Sequence, residues 1–102
     1  MEGDIYTLAM WRVKPGREEE FIRAWREDLG AHFLSLPGAM GGTLVRSVED
    51  PRLFYSFGPW RSLEDVQGMR TNPRTPDVIN KLRELCEEAT PGTYQRVLTL
   101  GQ

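Results

Sequence analysis

Hydrophobic and polar positions along this chain follow two periods, 2 and about 3.6 residues, and the switches between them mark out the elements. Residues 5–13 read as a first strand, with Ile5, Thr7, Ala9, Trp11 and Val13 on one face and Tyr6, Leu8, Met10 and Arg12 on the other. Neither face is cleanly polar, so both are predicted to be covered. Lys14-Pro15-Gly16-Arg17 is turn chemistry. A helix then starts near Arg17. Glu18, Glu19 and Glu20 fill its first turn, where the helix dipole favours negative charge. Phe21, Trp25, Leu29, His32 or Phe33, and Leu36 form one apolar stripe. Gly30 weakens the middle of this helix by roughly 1 kcal/mol relative to alanine, and Pro37-Gly38 ends it.

Residues 40–48 read as a second strand, with Gly41-Gly42 as a bulge or twist at its start. Glu49-Asp50-Pro51-Arg52 joins it in a hairpin to the aromatic run Leu53-Phe54-Tyr55-Ser56-Phe57. That run closes on Gly58-Pro59-Trp60. Pro59 cannot donate a ladder hydrogen bond, which predicts a strand end or an edge. Ser62 reads as a helix N-cap with Asp65 three residues on, a variant of the capping box. Leu63, Val66, Met69 and Arg70 follow at helical spacing until Thr71-Asn72-Pro73. Thr75 reads as a second N-cap with Pro76 at the first helical position. Ile79, Leu82, Leu85 or Cys86, and Ala89 then give the stripe of a last helix, stopped by Pro91-Gly92. Residues 93–100 read as the final strand. The order β-α-β-β-α-β predicts a ferredoxin-like α+β fold, a four-stranded antiparallel sheet with helices on one side. Apolar residues on the other sheet face predict a homodimer whose sheets face each other.

Composition narrows this picture. The 102 residues suffice for one domain, expected to span 1–102. A net charge of −2, with arginines interspersed among acids, gives no basic stripe for nucleic acid or an anionic membrane. The single cysteine, Cys86, excludes an internal disulfide and fits a reducing cytoplasm. Met1-Glu2-Gly3-Asp4 lacks the basic start of a signal peptide. No run approaches the roughly 18 apolar residues that span a bilayer. The location expected is therefore the cytoplasm. With one His and one Cys, no metal-ligand spacing exists, so no metal is expected.

Several pieces together resemble a known family. Lys14-Pro15-Gly16 follows the first strand. Glu18–Trp25 (EEEFIRAW) follows the turn. The aromatic strand ends in Trp60-Arg61-Ser62-Leu63-Glu64-Asp65. In that order and spacing the chain resembles the antibiotic-biosynthesis monooxygenase domain of the dimeric α+β barrel superfamily. The resemblance implies oxidation of electron-rich polycyclic phenols or quinols by dioxygen without a bound cofactor. Other members degrade haem or process small signalling molecules. The haem-degrading branch is marked by an Asn on the first strand and a Trp and a His in the second half. Here those positions fall at Ala9 and near Met69, and the second half has no histidine, so haem degradation is not expected.

A cofactor-free oxygenase needs a base, a few hydrogen-bond donors and apolar walls. His32, the only imidazole, is the candidate base, against a reading as a helix-end residue facing solvent or capping carbonyls. Asn72, between the two short helices with Arg70 and Arg74, could donate to a phenolate or belong to the turn before Pro73. Trp11, Tyr55, Trp60, Met69 and Arg70 are the candidate substrate contacts. The aromatics among them read equally well as core, and Trp60 as the filler of a strand–helix corner. Arg46 and Arg96 group with apolar strand positions and need partners. Cys86 reads as a buried structural thiol. The expected function is monooxygenation of a small aromatic or quinol ligand. The alternatives are a non-catalytic ligand-binding or stress-related dimer and a purely structural dimerisation module.

Overall fold

The computed structural model describes residues 4–101; Met1, Glu2 and Gly3, on which part of the signal-peptide argument rests, lie outside the described residues, as does Gln102. The elements are β1 (Ile5–Val13), α1 (Glu18–Ala24), a π-helical turn (Trp25–Gly30), α2 (Ala31–Leu34), β2 (Thr43–Arg46), β3 (Leu53–Trp60), α3 (Leu63–Thr71), α4 (Thr75–Arg83) and β4 (Cys86–Gln95). The strands form one antiparallel sheet in the order β2-β3-β1-β4, so the α+β architecture is the one expected.

Alternation sets the two faces. Trp11, Phe54 and Ala89 share one row toward the helices, and Ala9, Ser56, Leu44 and Pro91 share the next. The outward rows carry Val45, Tyr55, Met10 and Thr90, then Phe57, Leu8 and Gly92. Burial of the inward side chains drives the fold. The buried core falls into two clusters. The larger holds Trp11, Val13, Phe21, Leu29, Phe54 and Leu82 among others. The smaller holds Trp60, Val66 and Met69, and half-buried Phe33 touches both.

Several local expectations are corrected. The last helix does not run to Ala89: it stops at Arg83, Cys86 pairs with Val13, and Pro91-Gly92 lies inside β4. The open edge of β1 offers ladder hydrogen bonds, and this tertiary gain overrides the helical propensity of Glu87-Glu88-Ala89. Pro91 is tolerated because β4 is itself an edge strand. The chain leaves the sheet after Gln95, so Val97, Leu98 and Leu100 are exposed residues of a tail and not of a strand. The second strand is shorter than residues 40–48, spanning only Thr43–Arg46, with Gly41 at φ 109° before it. Pro59 sits inside β3, paired with Tyr6. A residue's N and C=O point to the same side of a strand. The Pro59 carbonyl accepts from Met40 at 3.1 Å, beyond the start of β2, so no ladder donor is required there. Thr75, finally, does not cap α4: it lies within the helix, and its hydroxyl donates to the Met69 carbonyl at 2.7 Å.

The expected cap at Ser62 is present, its Oγ accepting from the Asp65 amide at 3.2 Å. Hydrogen bonds from Arg61 and Ser62 hold the Asp65 carboxyl below its ordinary range. Cys86 is buried and its thiol is pushed up to about 11 by desolvation, as an inert structural thiol should be.

Candidate functional site

Small residues on the inward sheet face leave a gap beneath the helices. Thr7 pairs with Gly58 and Thr93, and Ala9 with Ser56 and Pro91, so the middle of these rows carries only small side chains. Bulky residues close both ends, Trp60 toward one core cluster and Trp11 toward the other. The result is a cavity of about 870 Å³ whose aromatic walls are Trp11, Trp25, Phe33 and Trp60. Trp25 and Leu29 reach it from the π turn, while Ile79 and Asn80 reach it from α4. A π turn inserts one extra residue per turn and rotates the following side chains, a distortion common at functional sites.

The polar groups in the wall are few, and several are fixed by hydrogen bonds. The Trp11 indole donates to Ser56 Oγ at 2.9 Å, and the Trp60 indole donates to Thr7 Oγ1 at 2.9 Å. Both hydroxyls therefore act as acceptors toward the tryptophans, and the Ser56 proton remains available to a ligand oxygen. The Trp25 indole N–H is buried and has no hydrogen-bond partner among the described residues. An unsatisfied buried donor is rare and costly, and this one belongs to a residue of the cavity wall. Thr75 also lines the cavity; its oxygen lies 2.8 Å from His32 Nε2. Because the Thr75 hydroxyl donates to Met69, it accepts from His32, which fixes the proton of the neutral ring on Nε2.

The candidate residues separate clearly. Trp11, Trp60, Met69 and Arg70 line the cavity. Trp60 also fills the strand–helix corner, only 2% exposed and edge-on to Phe33 at 5.7 Å, so it both packs and lines the cavity. Tyr55 does not join them: it points outward from β3, on the opposite sheet face. His32 is buried, not solvent-facing, but stands one hydrogen bond behind the wall. Burial, and next the charge of Arg74, lower its pKa, so the ring is neutral near pH 7. Asn72 belongs to the turn, its Oδ1 accepting from the Arg74 amide at 2.9 Å. Arg46 stacks over Phe54 at 4.9 Å with Glu19 at 3.7 Å, and Arg96 donates to the Tyr6 hydroxyl at 2.6 Å and pairs with Asp4.

Sequence reasoning did not single out Thr7, Ser56, Trp25 or Thr75 as site residues. For Thr7 and Ser56 the signal was there, as small polar residues on strand faces otherwise apolar. Among the described residues no three His, Cys, Asp or Glu side chains gather as a metal-binding set, and no helix is long and apolar enough to cross a membrane.

Known proteins give a consistent picture of the fold. A family model described as "Antibiotic biosynthesis monooxygenase" matches residues 4–81. No curated protein matches the chain. Among solved structures, a mutant form of SnoaB, a cofactor-independent oxygenase from Streptomyces nogalater, superposes with a TM-score of 0.86 at 19% identity, covering 96% of this chain and 97% of that one. A conserved protein from Methanosarcina mazei gives 0.78 at 17% identity, covering 90% and 91%. A Nitrosomonas europaea protein provisionally named for the same family gives 0.77 at 19% identity, covering 99% and 98%. At these identities the structural likeness speaks for the fold alone.

Proposed function

This chain belongs to the antibiotic biosynthesis monooxygenase family, and on that footing we propose that it oxidises an electron-rich aromatic ligand, a phenol, quinol or anthrone, with dioxygen in the cavity beneath its sheet. The observation that carries the reading is the cavity itself: about 870 Å³, aromatic on its walls, with a few fixed polar groups. That is the composition of a site for a flat, mostly apolar molecule held by a small number of hydrogen bonds. SnoaB, named as a cofactor-independent oxygenase, shares the fold and supports the reading by analogy.

In this reading the substrate supplies the electrons. The methylene carbon of an anthrone loses a proton to water, and the resulting anion passes one electron to dioxygen. The two radicals combine as a peroxide on that carbon, which takes a proton back. Loss of water leaves the ketone, with one oxygen atom in the product and one in water. The tryptophans stack on the rings and exclude solvent. Ser56 donates to the oxygen on which negative charge develops. His32 acts as a positioning residue, holding Thr75 in the wall. The outward sheet face, with Val45, Tyr55 and Phe57 exposed, belongs to the same proposal as the seat of a second copy of the chain.

A second reading, ligand binding without turnover, is favoured by one observation: among the described residues no carboxylate and no imidazole lines the cavity. Oxygen uptake by the purified protein with a panel of anthrones and hydroquinones separates the two. Uptake above the protein-free rate is expected, and His32→Gln should keep it within about fivefold. A loss of more than about a hundredfold in that variant would make His32 the base. No uptake across the panel, with thermal stabilisation by the quinone products, would establish the binding reading.

A further inference from the structure

Among the described residues, Met69 is the one member of the cavity wall that carries sulfur. It is 7% exposed and packs with Trp60 and Val66. Its backbone is held at the end of α3, where the Met69 carbonyl accepts from the Thr75 hydroxyl at 2.7 Å and from the Asn72 amide at 3.2 Å. The residue therefore meets the cavity from a fixed turn. The other described methionines stand elsewhere. Met40 is 49% exposed, Met10 is half-buried in an outward row of the sheet, and neither lines the cavity. Cys86 does not line it either, and its thiol, pushed up to about 11 by burial, holds little thiolate at neutral pH. A thioether needs no deprotonation before it reacts with a peroxide. Set among indoles and aliphatic side chains, the Met69 sulfur is shielded from polar oxidants in bulk water and open to an apolar one that enters the cavity.

We propose that Met69 is an oxidation site, its thioether taking one oxygen atom from an organic hydroperoxide held in the cavity and becoming the sulfoxide. The inference rests on the oxidation reading for the source of that hydroperoxide in turnover, the peroxide formed on the substrate carbon. The sulfur lone pair attacks the outer oxygen of the C–O–O–H group. The O–O bond breaks, the outer oxygen stays on sulfur, and the inner oxygen takes the proton and leaves as an alcohol. Sulfur is oxidised by two electrons and the peroxide is reduced by two. A flexible apolar side chain becomes a polar, chiral one. In a cluster as small as Trp60, Val66 and Met69, that change loosens the wall and weakens its hold on an apolar ligand. Turnover then carries its own limit, because a peroxide that reaches Met69 before losing water leaves the site altered.

The test treats the whole chain with limiting cumene hydroperoxide, which is apolar and aromatic, and separately with hydrogen peroxide. Peptide mass spectrometry reads the gain of one oxygen at each methionine. Hydrogen peroxide is expected to oxidise exposed Met40 first. Cumene hydroperoxide is expected to raise the ratio of Met69 to Met40 oxidation rates by at least about tenfold over hydrogen peroxide. A smaller rise would overturn the inference. Oxygen uptake with an anthrone then tests the site in turnover. Uptake by the native chain is expected to decline as Met69 sulfoxide accumulates. The decline, taken relative to each protein's own initial rate, should slow at least about threefold in Met69→Leu, a substitution close in volume. An equal decline in the two proteins would refute the role in turnover. Uptake without a Met69 preference sinks this inference alone, and a Met69 preference without uptake sinks the oxidation reading alone.

Discussion

His32 shows how much one side chain depends on its setting. On the helical stripe it reads as a base or as a helix-end residue; in the fold its Nε2 is held by Thr75, one hydrogen bond behind the cavity wall. Burial lowers its pKa from the ordinary 6.5. A buried neutral imidazole makes the folded state bind protons less readily than the unfolded chain. Its contribution to stability is therefore complete above about pH 6.5 and is lost as the pH falls toward the depressed folded value. The carboxyls of Asp50, Asp65 and Glu20, all lowered by arginine or hydroxyl partners, begin to count only below about pH 4.5. Since the chain has one histidine, the window between belongs to it. The urea midpoint is expected to drop from pH 7.5 to 5.5 in the native sequence and to stay level in His32→Gln. A level profile in the native protein, or a slope that survives the substitution, would refute this account.

At the scale of elements, glycine and register decide what the chain tolerates. Gly58 lies where β3 passes the Gly41-Gly42 segment, and a methyl group there would drive into the Gly41 carbonyl. Gly58→Ala is expected to cost roughly 1–3 kcal/mol, several degrees of melting temperature for a domain this size. An unchanged melting curve would mean the segment yields freely. Most of the elements were legible in the alternation: β1 and α3 with its Ser62 cap stand where the pattern put them, and the hairpin does so with a shorter β2 and a β3 that runs on through Pro59. β4 was not, because Glu87-Glu88-Ala89 continues a helical period while the decisive term is the unpaired edge of β1, a partner far away in sequence. That single misplacement also hid the cavity. Its floor becomes visible as a patch of small residues only when Ala89, Pro91 and Thr93 are laid beside Trp11, Ala9 and Thr7. The π turn left no trace either, since Phe21, Trp25 and Leu29 fit an ordinary helical stripe.

For the molecule as a whole, the sheet has one face under helices and one with Val45, Tyr55 and Phe57 exposed beside half-buried Leu8 and Met10. If a second copy covers that face, sedimentation should give twice the chain mass of 11.7 kDa, and Tyr55→Lys, which leaves the cavity untouched, should release monomers. A native protein that sediments as a monomer at micromolar concentration would refute the proposed pairing. The division of the core has a consequence of another kind. Trp60, Val66 and Met69 form a cluster of their own, joined to the rest through Phe33. A region anchored by so few buried contacts opens at a lower free energy than the main core and returns without unfolding the rest. Met69 and Arg70 are part of that region and of the cavity wall. If a ligand occupies the cavity, brief partial openings of α3 would add to its exchange through the open mouth. A molecule resting against both tryptophans would bridge the two clusters and slow its own escape.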